Sequence, residues 1–346
     1  MKPMENPSIF DFATSELSQD AFICYMLNFS EPSKLFLEKC GIKNEKIIEI
    51  KQQYPADTVD NGKKYKGHID ILLETEKNYL IIEDKTGTDE HDDQIHRYCD
   101  AILKNQNLDK NKSIRVCYVK TDYLSKQEEK DIHKTMNDKH PDIHVSFICL
   151  GDLLECVAKF SDDPIAKQWN KHFEKNWDHI QNELKKDLNF RTQNNLRIYL
   201  DRLTTKIKNE VGNLYQNAGW FIAGYGTPHI ELSWSERQKV TANHWGQQSV
   251  LLMFRKKGLK LVVKYHFFDA QEKGNRIKIR DYSTEDIEKL EEVRKNISKV
   301  EGWTPVDIKE NKERLMLIQK EVKEADLIKT LKVEKDHIEK FFSMLG

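Results

Sequence analysis

Asp70, Glu83 and Lys85 are the residues of this 346-residue chain whose types and spacing point most directly to chemistry. They sit in Gly67-His68-Ile69-Asp70-Ile71-Leu72-Leu73-Glu74 and Tyr79-Leu80-Ile81-Ile82-Glu83-Asp84-Lys85-Thr86, two short apolar stretches joined at Glu76-Lys77. A tight turn there predicts a hairpin with Asp70 directly opposite Glu83. Side chains alternate faces along a strand, so Lys85 joins Glu83 while the Asp84 side chain faces away. Directly opposed residues have Cβ atoms roughly 5 Å apart, and like charges placed there are destabilising. Two carboxylates and one ammonium are thus gathered at one end of an otherwise apolar hairpin, a broken local rule of the kind found at functional sites.

The chemistry that needs this set is metal-assisted phosphodiester hydrolysis. Hard carboxylate oxygens, with a backbone carbonyl and water, suit Mg²⁺ or Mn²⁺. Asp70, Glu83 and the Asp84 carbonyl are the candidate ligands. Lys85 would hold the nucleophile or neutralise charge in the transition state. A surface hairpin with solvated ion pairs is the plainer alternative, and such pairs contribute little. It fits poorly, because Ile71, Leu73, Leu80 and Ile82 occupy one face while Leu72, Tyr79 and Ile81 occupy the other. Both faces are apolar, so the hairpin is expected at the centre of a sheet.

The elements around it are legible in order. Phe10 to Phe29 reads as a helix with Ser15 or Ser18 as its cap. Lys46 to Lys51 reads as a strand, and 54–66, with Pro55 and Asn61-Gly62, as an exposed loop. After the hairpin and Gly87, a helix is expected over Asp89 to Lys104, then a strand at 114–119, a helix at 124–139, a strand at 143–148 and a helix at 151–160. On the 89–104 helix, Gln94 and Tyr98 are four apart and share a face. His91 and His96 are five apart and share one poorly, so they read as exposed histidines.

With Asp70 followed after twelve residues by Glu83-Asp84-Lys85, the chain resembles the PD-(D/E)xK nuclease superfamily over about residues 10–160. The resemblance implies a restriction-endonuclease-like α/β fold, a mixed sheet flanked by helices. It implies a metal-dependent nuclease, with DNA the usual substrate. In that superfamily an acidic residue on the first helix often completes the metal site, which makes Glu16 a candidate. Acids in a first turn are also favoured by the helix dipole, which equally explains Glu16 and Asp20. A Gln followed four residues later by Tyr resembles the RecB-like branch, where the pair orients substrate or water. This makes Gln94 a candidate, beside the plain reading of an exposed Gln and a half-buried Tyr.

Composition bounds the rest. Residues 1–160 carry a net charge of −7 and residues 161–346 one of +6. An acidic half fits a metal centre, and a basic half fits contact with a polyanion. Six scattered cysteines include no CxxC pair, which points to reduced core thiols rather than a zinc finger. The first residues lack a signal-peptide core, and no apolar run is long enough for a membrane span, so a cytoplasmic protein is expected. The division expected is a nuclease domain over 1–160, then a helical linker and α+β domain over 161–346 for substrate recognition or dimerisation.

In that second part, Trp169, Phe173 and Trp177 step by four along a helix over 165–186, a packing stripe. Leu196 to Leu214 forms a second amphipathic helix, ended by Gly219, that packs within the chain or forms a homodimer seam. Strands follow at 220–223, 229–234, 250–254 and 259–268, and helices near 284–297 and 325–344. Gly224-Tyr225-Gly226 precedes no helix and is no nucleotide loop. Arg237, Lys239, His244, Trp245 and Arg255 to Lys257 mix basic and aromatic groups, which suits nucleic-acid contact or an ordinary basic loop. The expectation is a Mg²⁺- or Mn²⁺-dependent endonuclease acting on DNA, with a restriction or defence role by resemblance. An RNA-directed nuclease and a catalytically silent scaffold are the rivals.

Overall fold

A computed structural model describes residues 8–11, 15–60, 63–86, 94–190, 192–212, 215, 217–223, 227–233, 238–239, 244–255, 258–269, 284–297, 300, 302–306 and 315–343. The chain divides into two compact units, Met1–Lys186 and Asp187–Gly346. The first holds α1 (Glu16–Met26), α2 (Ser30–Lys39), β1 (Ile47–Pro55), β2 (Thr58–Asp60), β3 (Lys63–Tyr65), β4 (His68–Thr75), β5 (Asn78–Lys85), α3 (Gln94–Lys104), β6 (Ser113–Lys120), α4 (Lys126–Lys139), β7 (His144–Cys149), α5 (Leu150–Val157) and α6 (Pro164–Lys185).

Its sheet runs β1-β4-β5-β6-β7, antiparallel through β5 and parallel from β5 to β7. This is the mixed sheet flanked by helices expected from the sequence. The hairpin keeps the expected register, from Glu74 opposite Tyr79 to Ile71 opposite Ile82. All eight residues of β5 are buried. It lies between an antiparallel and a parallel neighbour with helices over both faces, the setting that calls for a continuous apolar run. Leu72, Tyr79 and Ile81 share one core with Ile95 and Ile102 of α3 and Ile132 and Met136 of α4. The helix α1 packs against β1, β4 and β5.

Several elements differ from the sequence reading. The opening helix starts at Glu16, where the Ser15 hydroxyl accepts from the Ser18 N–H at 3.3 Å, and stops at Met26. A second helix, α2, begins at Ser30 with Pro32 in its first turn, where a missing N–H costs nothing. The expected loop over 54–66 is shorter, because Tyr54 and Pro55 still pair with Ile69 and His68, and Thr58 pairs with Tyr65. Gly87, the start of the helix expected from Asp89, and Asn61-Gly62 lie outside the described residues.

The first compact unit also extends past residue 160 to include α6. Trp169 stacks on Phe22 of α1 at 4.9 Å and on Phe173 at 4.3 Å, and its Nε1–H donates to Gln19 Oε1 at 3.0 Å. Trp177 lies over Gly151 of α5, where an added Cβ would stand 2.8 Å from the indole ring. The aromatic stripe is therefore core packing. Trp169 is 0% exposed, so Trp169→Ala is expected to cost about 3–5 kcal/mol in urea unfolding. A loss below about 1 kcal/mol would contradict this packing.

The second unit holds α7 (Leu196–Val211), β8 (Asn217–Ala223), β9 (Thr227–Ser233), β10 (Gln238–Lys239), β11 (His244–Arg255), β12 (Gly258–Asp269), α8 (Thr284–Ile297), β13 (Thr304–Pro305), β14 (Leu315–Val322), α9 (Leu327–Val333) and α10 (Lys335–Ser343). Its sheet is antiparallel, in the order β13-β14-β12-β11-β9-β8 with β10 beside β11. The α7 helix ends before Gly212, earlier than the periodicity implied, and Gly219 lies in β8. Tyr199, Leu200, Leu203, Ile207 and Val211 are covered by Ile230, Leu232, Val250 and Leu252 of the sheet. The apolar face considered for a dimer seam is thus buried in its own unit. The strand β14 and the break at Glu334 between α9 and α10 went unread in the sequence. Gly224 to Gly226, Trp234, Arg237 and Lys256-Lys257 lie outside the described residues. Among the described residues no helix is long and apolar enough to cross a membrane, and all six cysteines are free thiols.

Candidate active site

The adjoining ends of β4 and β5 meet the first turns of α1. At the last step of the hairpin, Asp70 Oδ2 accepts the backbone N–H of Asp84 at 2.9 Å. This bond fixes the Asp70 carboxylate beside the place where β5 carries Glu83 and Lys85. Glu83 is 0% exposed, and the Lys85 ammonium lies 2.6 Å from its Oε1. Glu16, the first residue of α1, reaches from the other side: its Oε2 is 3.9 Å from Lys85 Nζ, and its Oε1 accepts from Thr86 N–H at 3.4 Å. Asp70, Glu83, Lys85 and Glu16 are therefore brought together.

Gln94 approaches through Tyr98. Its side-chain amide donates to the Tyr98 hydroxyl at 2.5 Å. The Tyr98 ring lies against Gly67, where a Cβ would stand 3.1 Å from it, so glycine just before β4 lets the ring close over the strand. Burial, and then the Glu83 charge, push the Tyr98 phenol up to about 12. The Asp84 side chain faces away from Glu83, as alternation requires, but it does not reach water. It is 0% exposed, and neither of its oxygens has a hydrogen-bond partner.

Two members of the cluster were not singled out in the sequence. Asp20 is 1% exposed, one turn after Glu16 on α1. Gln53, across from Asp70 on β1, donates from Nε2 to Asp20 Oδ2 at 3.1 Å and to Asp70 Oδ1 at 3.4 Å. The helix dipole accounts for Glu16 at the helix start but not for an acid buried a turn later. The legible signal was the i, i+4 spacing of Glu16 and Asp20, which sets both on one face. Gln53 carried no such signal. Its φ of 52° is in the left-handed region, unusual for a residue other than glycine. Held strain of this kind costs on the order of 1–3 kcal/mol and gathers at functional sites. Gln53→Gly should relieve it and leave the melting temperature level or higher, while turnover falls about 10- to 100-fold as both carboxylates lose their shared donor. Full activity in the variant would remove Gln53 from the site.

The electrostatics follow from crowding. Burial first, and then Asp70, raise Asp20 to about 7 and Glu83 to about 8. Burial, followed by Asp20 and Asp70, holds Asp84 well above the carboxylate range. Asp70 is raised by burial against the opposing pull of the Asp84 N–H and Lys85. Burial works against the Lys85 ammonium, but Glu83, Asp70 and Glu16 outweigh it and keep it protonated. One ammonium thus offsets the charge of Glu83, Asp70 and Glu16 most strongly, and of Asp20 and Asp84 less.

Such a group fits a cation. Glu83 Oε2, Asp20 Oδ1 and both Asp84 oxygens are buried without a hydrogen-bond donor. Among the described residues, no three of these carboxylates bring ligand atoms all within 4.8 Å of one another. That spread suits a hydrated hard ion held by one or two carboxylates rather than an all-protein cage. A cavity of about 340 Å³ adjoins the cluster, lined by Gln19, Thr86 and Thr121 with Phe10, His172 and Phe173.

Residues 7–171 match the family model described as the PD-(D/E)XK nuclease superfamily. No curated protein and no solved structure matches the chain.

Proposed function

Residues 7–171 belong to the PD-(D/E)XK nuclease superfamily, and on that premise we propose that the chain is a Mg²⁺- or Mn²⁺-dependent endonuclease that cuts DNA at the Asp70–Glu83–Lys85 cluster. The observation that carries the reading is that, among the described residues, one ammonium, Lys85, is set among buried carboxylates of which Glu83 Oε2, Asp20 Oδ1 and both Asp84 oxygens lack donors. Asp70, Glu83 and the Asp84 carbonyl would hold the ion, with Glu16 reaching in from α1. Held there, a divalent cation would supply polarisation of the scissile phosphate and a bound water of lowered pKa.

The protein's own groups do the rest. Asp70 is fixed by the Asp84 N–H and by Gln53, so its carboxylate needs no reorganisation before reaction. The Lys85 ammonium stands where negative charge grows on the phosphate oxygens and stabilises it there. Glu16 and Glu83 flank that ammonium and set its direction. Gln94 orients the Tyr98 hydroxyl toward the Glu83 side of the cluster and helps to place water or substrate. Asp20 shares the Gln53 amide with Asp70 and couples α1 to the strand ends.

The second unit, in this reading, selects or orients the nucleic acid, in keeping with the basic balance of residues 161–346. A restriction or defence role follows from resemblance. Incubating the full chain with plasmid DNA, single-stranded DNA and RNA, each with Mg²⁺, Mn²⁺ or EDTA, tests the substrate. Metal-dependent loss of DNA supports the proposal. Loss of RNA alone replaces the substrate and keeps the chemistry. No cleavage of any of the three, from protein that binds nucleic acid, favours a silent scaffold.

A further inference from the structure

The helices α3 and α4 meet at a group that the catalytic cluster does not use. His96 and Asp100 stand four residues apart on α3, roughly opposite Gln94 and Tyr98 at 100° per residue. His140 caps the C-terminal end of α4. Its Nε2 lies 2.9 Å from His96 Nδ1 and 3.4 Å from Asp100 Oδ1. Ligand atoms of all three residues lie within 4.8 Å of one another, and among the described residues no other three His, Cys, Asp or Glu side chains achieve this. His96, expected as an exposed residue, is half-buried.

The 3.4 Å between His140 Nε2 and Asp100 Oδ1 is already a ligand-to-ligand spacing, and the 2.9 Å between the two imidazole nitrogens would open by about 0.5 Å to admit an ion. Zn²⁺ bonds of about 2.0–2.2 Å in tetrahedral geometry place ligand atoms about 3.3–3.6 Å apart. A hydrogen-bonded chain accounts for the same atoms less well. His140 Nε2 faces His96 Nδ1, Asp100 Oδ1 and, at 3.3 Å, the His96 carbonyl oxygen. If this ring nitrogen accepts from a His96 Nδ1–H it has nothing to offer Asp100 Oδ1, and if it carries the N–H it must share that one proton among His96 Nδ1, Asp100 Oδ1 and the His96 carbonyl. A cation between them lets each lone pair point inward. Asp100 is also held from behind, since Lys104 Nζ donates to its Oδ2 at 2.8 Å and leaves Oδ1 to face the histidines. Ligating carboxylates are supported in this way.

We propose that His96, Asp100 and His140 form a transition-metal site, with water in the fourth position, that ties α3 to the end of α4. Two imidazoles and one carboxylate suit Zn²⁺, with Co²⁺ as a close substitute, over the hard ions of the carboxylate cluster. The site pins the helix whose other side carries Gln94 and Tyr98, so binding energy is returned as rigidity of that helix.

The test uses the full chain carrying Asp70→Ala, so that the carboxylate cluster is impaired and the two sites are read apart. After chelation and dialysis, Zn²⁺ is titrated calorimetrically and Co²⁺ by its visible absorption. One equivalent of Zn²⁺ is expected to bind, Co²⁺ should give tetrahedral bands, and Zn²⁺ should raise the melting temperature. Adding His140→Ala, or separately His96→Gln, should weaken Zn²⁺ binding by about 100-fold or more and abolish the Zn²⁺-dependent shift, with the metal-free circular dichroism unchanged. Zn²⁺ affinity unaltered by both histidine replacements, or no Zn²⁺ bound at all, overturns the proposal. Neither result depends on nuclease activity.

Discussion

Lys85→Ala is expected to lower metal-dependent cleavage by about 100- to 1,000-fold while nucleic-acid affinity changes by no more than a few-fold. The magnitude is that of losing one preorganised electrostatic partner of a developing charge. The selectivity follows from position, because Lys85 is 6% exposed and its ammonium is turned inward onto Glu83, away from any broad binding surface. Single-turnover cleavage and a filter-binding titration, read side by side, separate the two effects. A comparable loss in binding would make Lys85 a docking residue. An unchanged rate would move the chemistry elsewhere.

The second large effect is on stability, and its sign is opposite to that of an ordinary ion-paired carboxylate. Asp20 and Glu83 have folded values raised from 3.8 to about 7 and from 4.5 to about 8. The native state therefore binds more protons than the unfolded chain between about pH 4 and 8, and stability falls as pH rises through that window. A tenfold difference in proton affinity between the folded and unfolded states corresponds to about 1.4 kcal/mol, so metal-free protein should lose a few kcal/mol between pH 5 and pH 8. Divalent cation should restore most of it at pH 8. Asp20→Asn removes one of the crowded charges, keeps an oxygen for Gln53, and puts an amide where Asp20 Oδ1 has no partner. That variant should melt several degrees higher than the parent at pH 8 in EDTA, with a flatter pH dependence. Thermal melts in EDTA and in Mn²⁺ across this range decide the matter. A metal-free protein that grows more stable toward pH 8 would show that the carboxylates are not crowded as described.

The central hairpin was legible because its two signals agree. Alternation set Asp70, Glu83 and Lys85 on one face, and apolar residues on both faces required a central position, which β5 occupies. Apart from α2 and the β2–β3 pair, the order of elements in the first unit followed from the same patterning. What escaped was set by tertiary contact. The place of Asp20 depends on the docking of α1 over β4 and β5, and sequence alone offered the helix dipole as a sufficient reason for an acid there. Gln53 acts through a left-handed backbone turn within a strand, which no propensity foretells. The grouping of His96 with His140 spans 44 positions and two helices. The helix α6 read correctly as a helix, but its membership in the first unit rests on Trp169 meeting Phe22. In the second unit, β14 was lost because four of its apolar residues, Leu315 to Ile318, run together and then give way to Gln319-Lys320-Glu321, with no alternation to mark a strand before it pairs with β12.

The central claim is that phosphodiester cleavage is metal-dependent and occurs at the ends of β4 and β5. Single-turnover cleavage by wild type and Asp70→Ala, in Mn²⁺ and in EDTA, with melting and nucleic-acid binding checked on the same preparations, tests it most directly. Wild type is expected to cut in Mn²⁺ alone, and the folded, binding-competent variant not at all. Cutting by wild type in EDTA, or by Asp70→Ala at the wild-type rate, would contradict it.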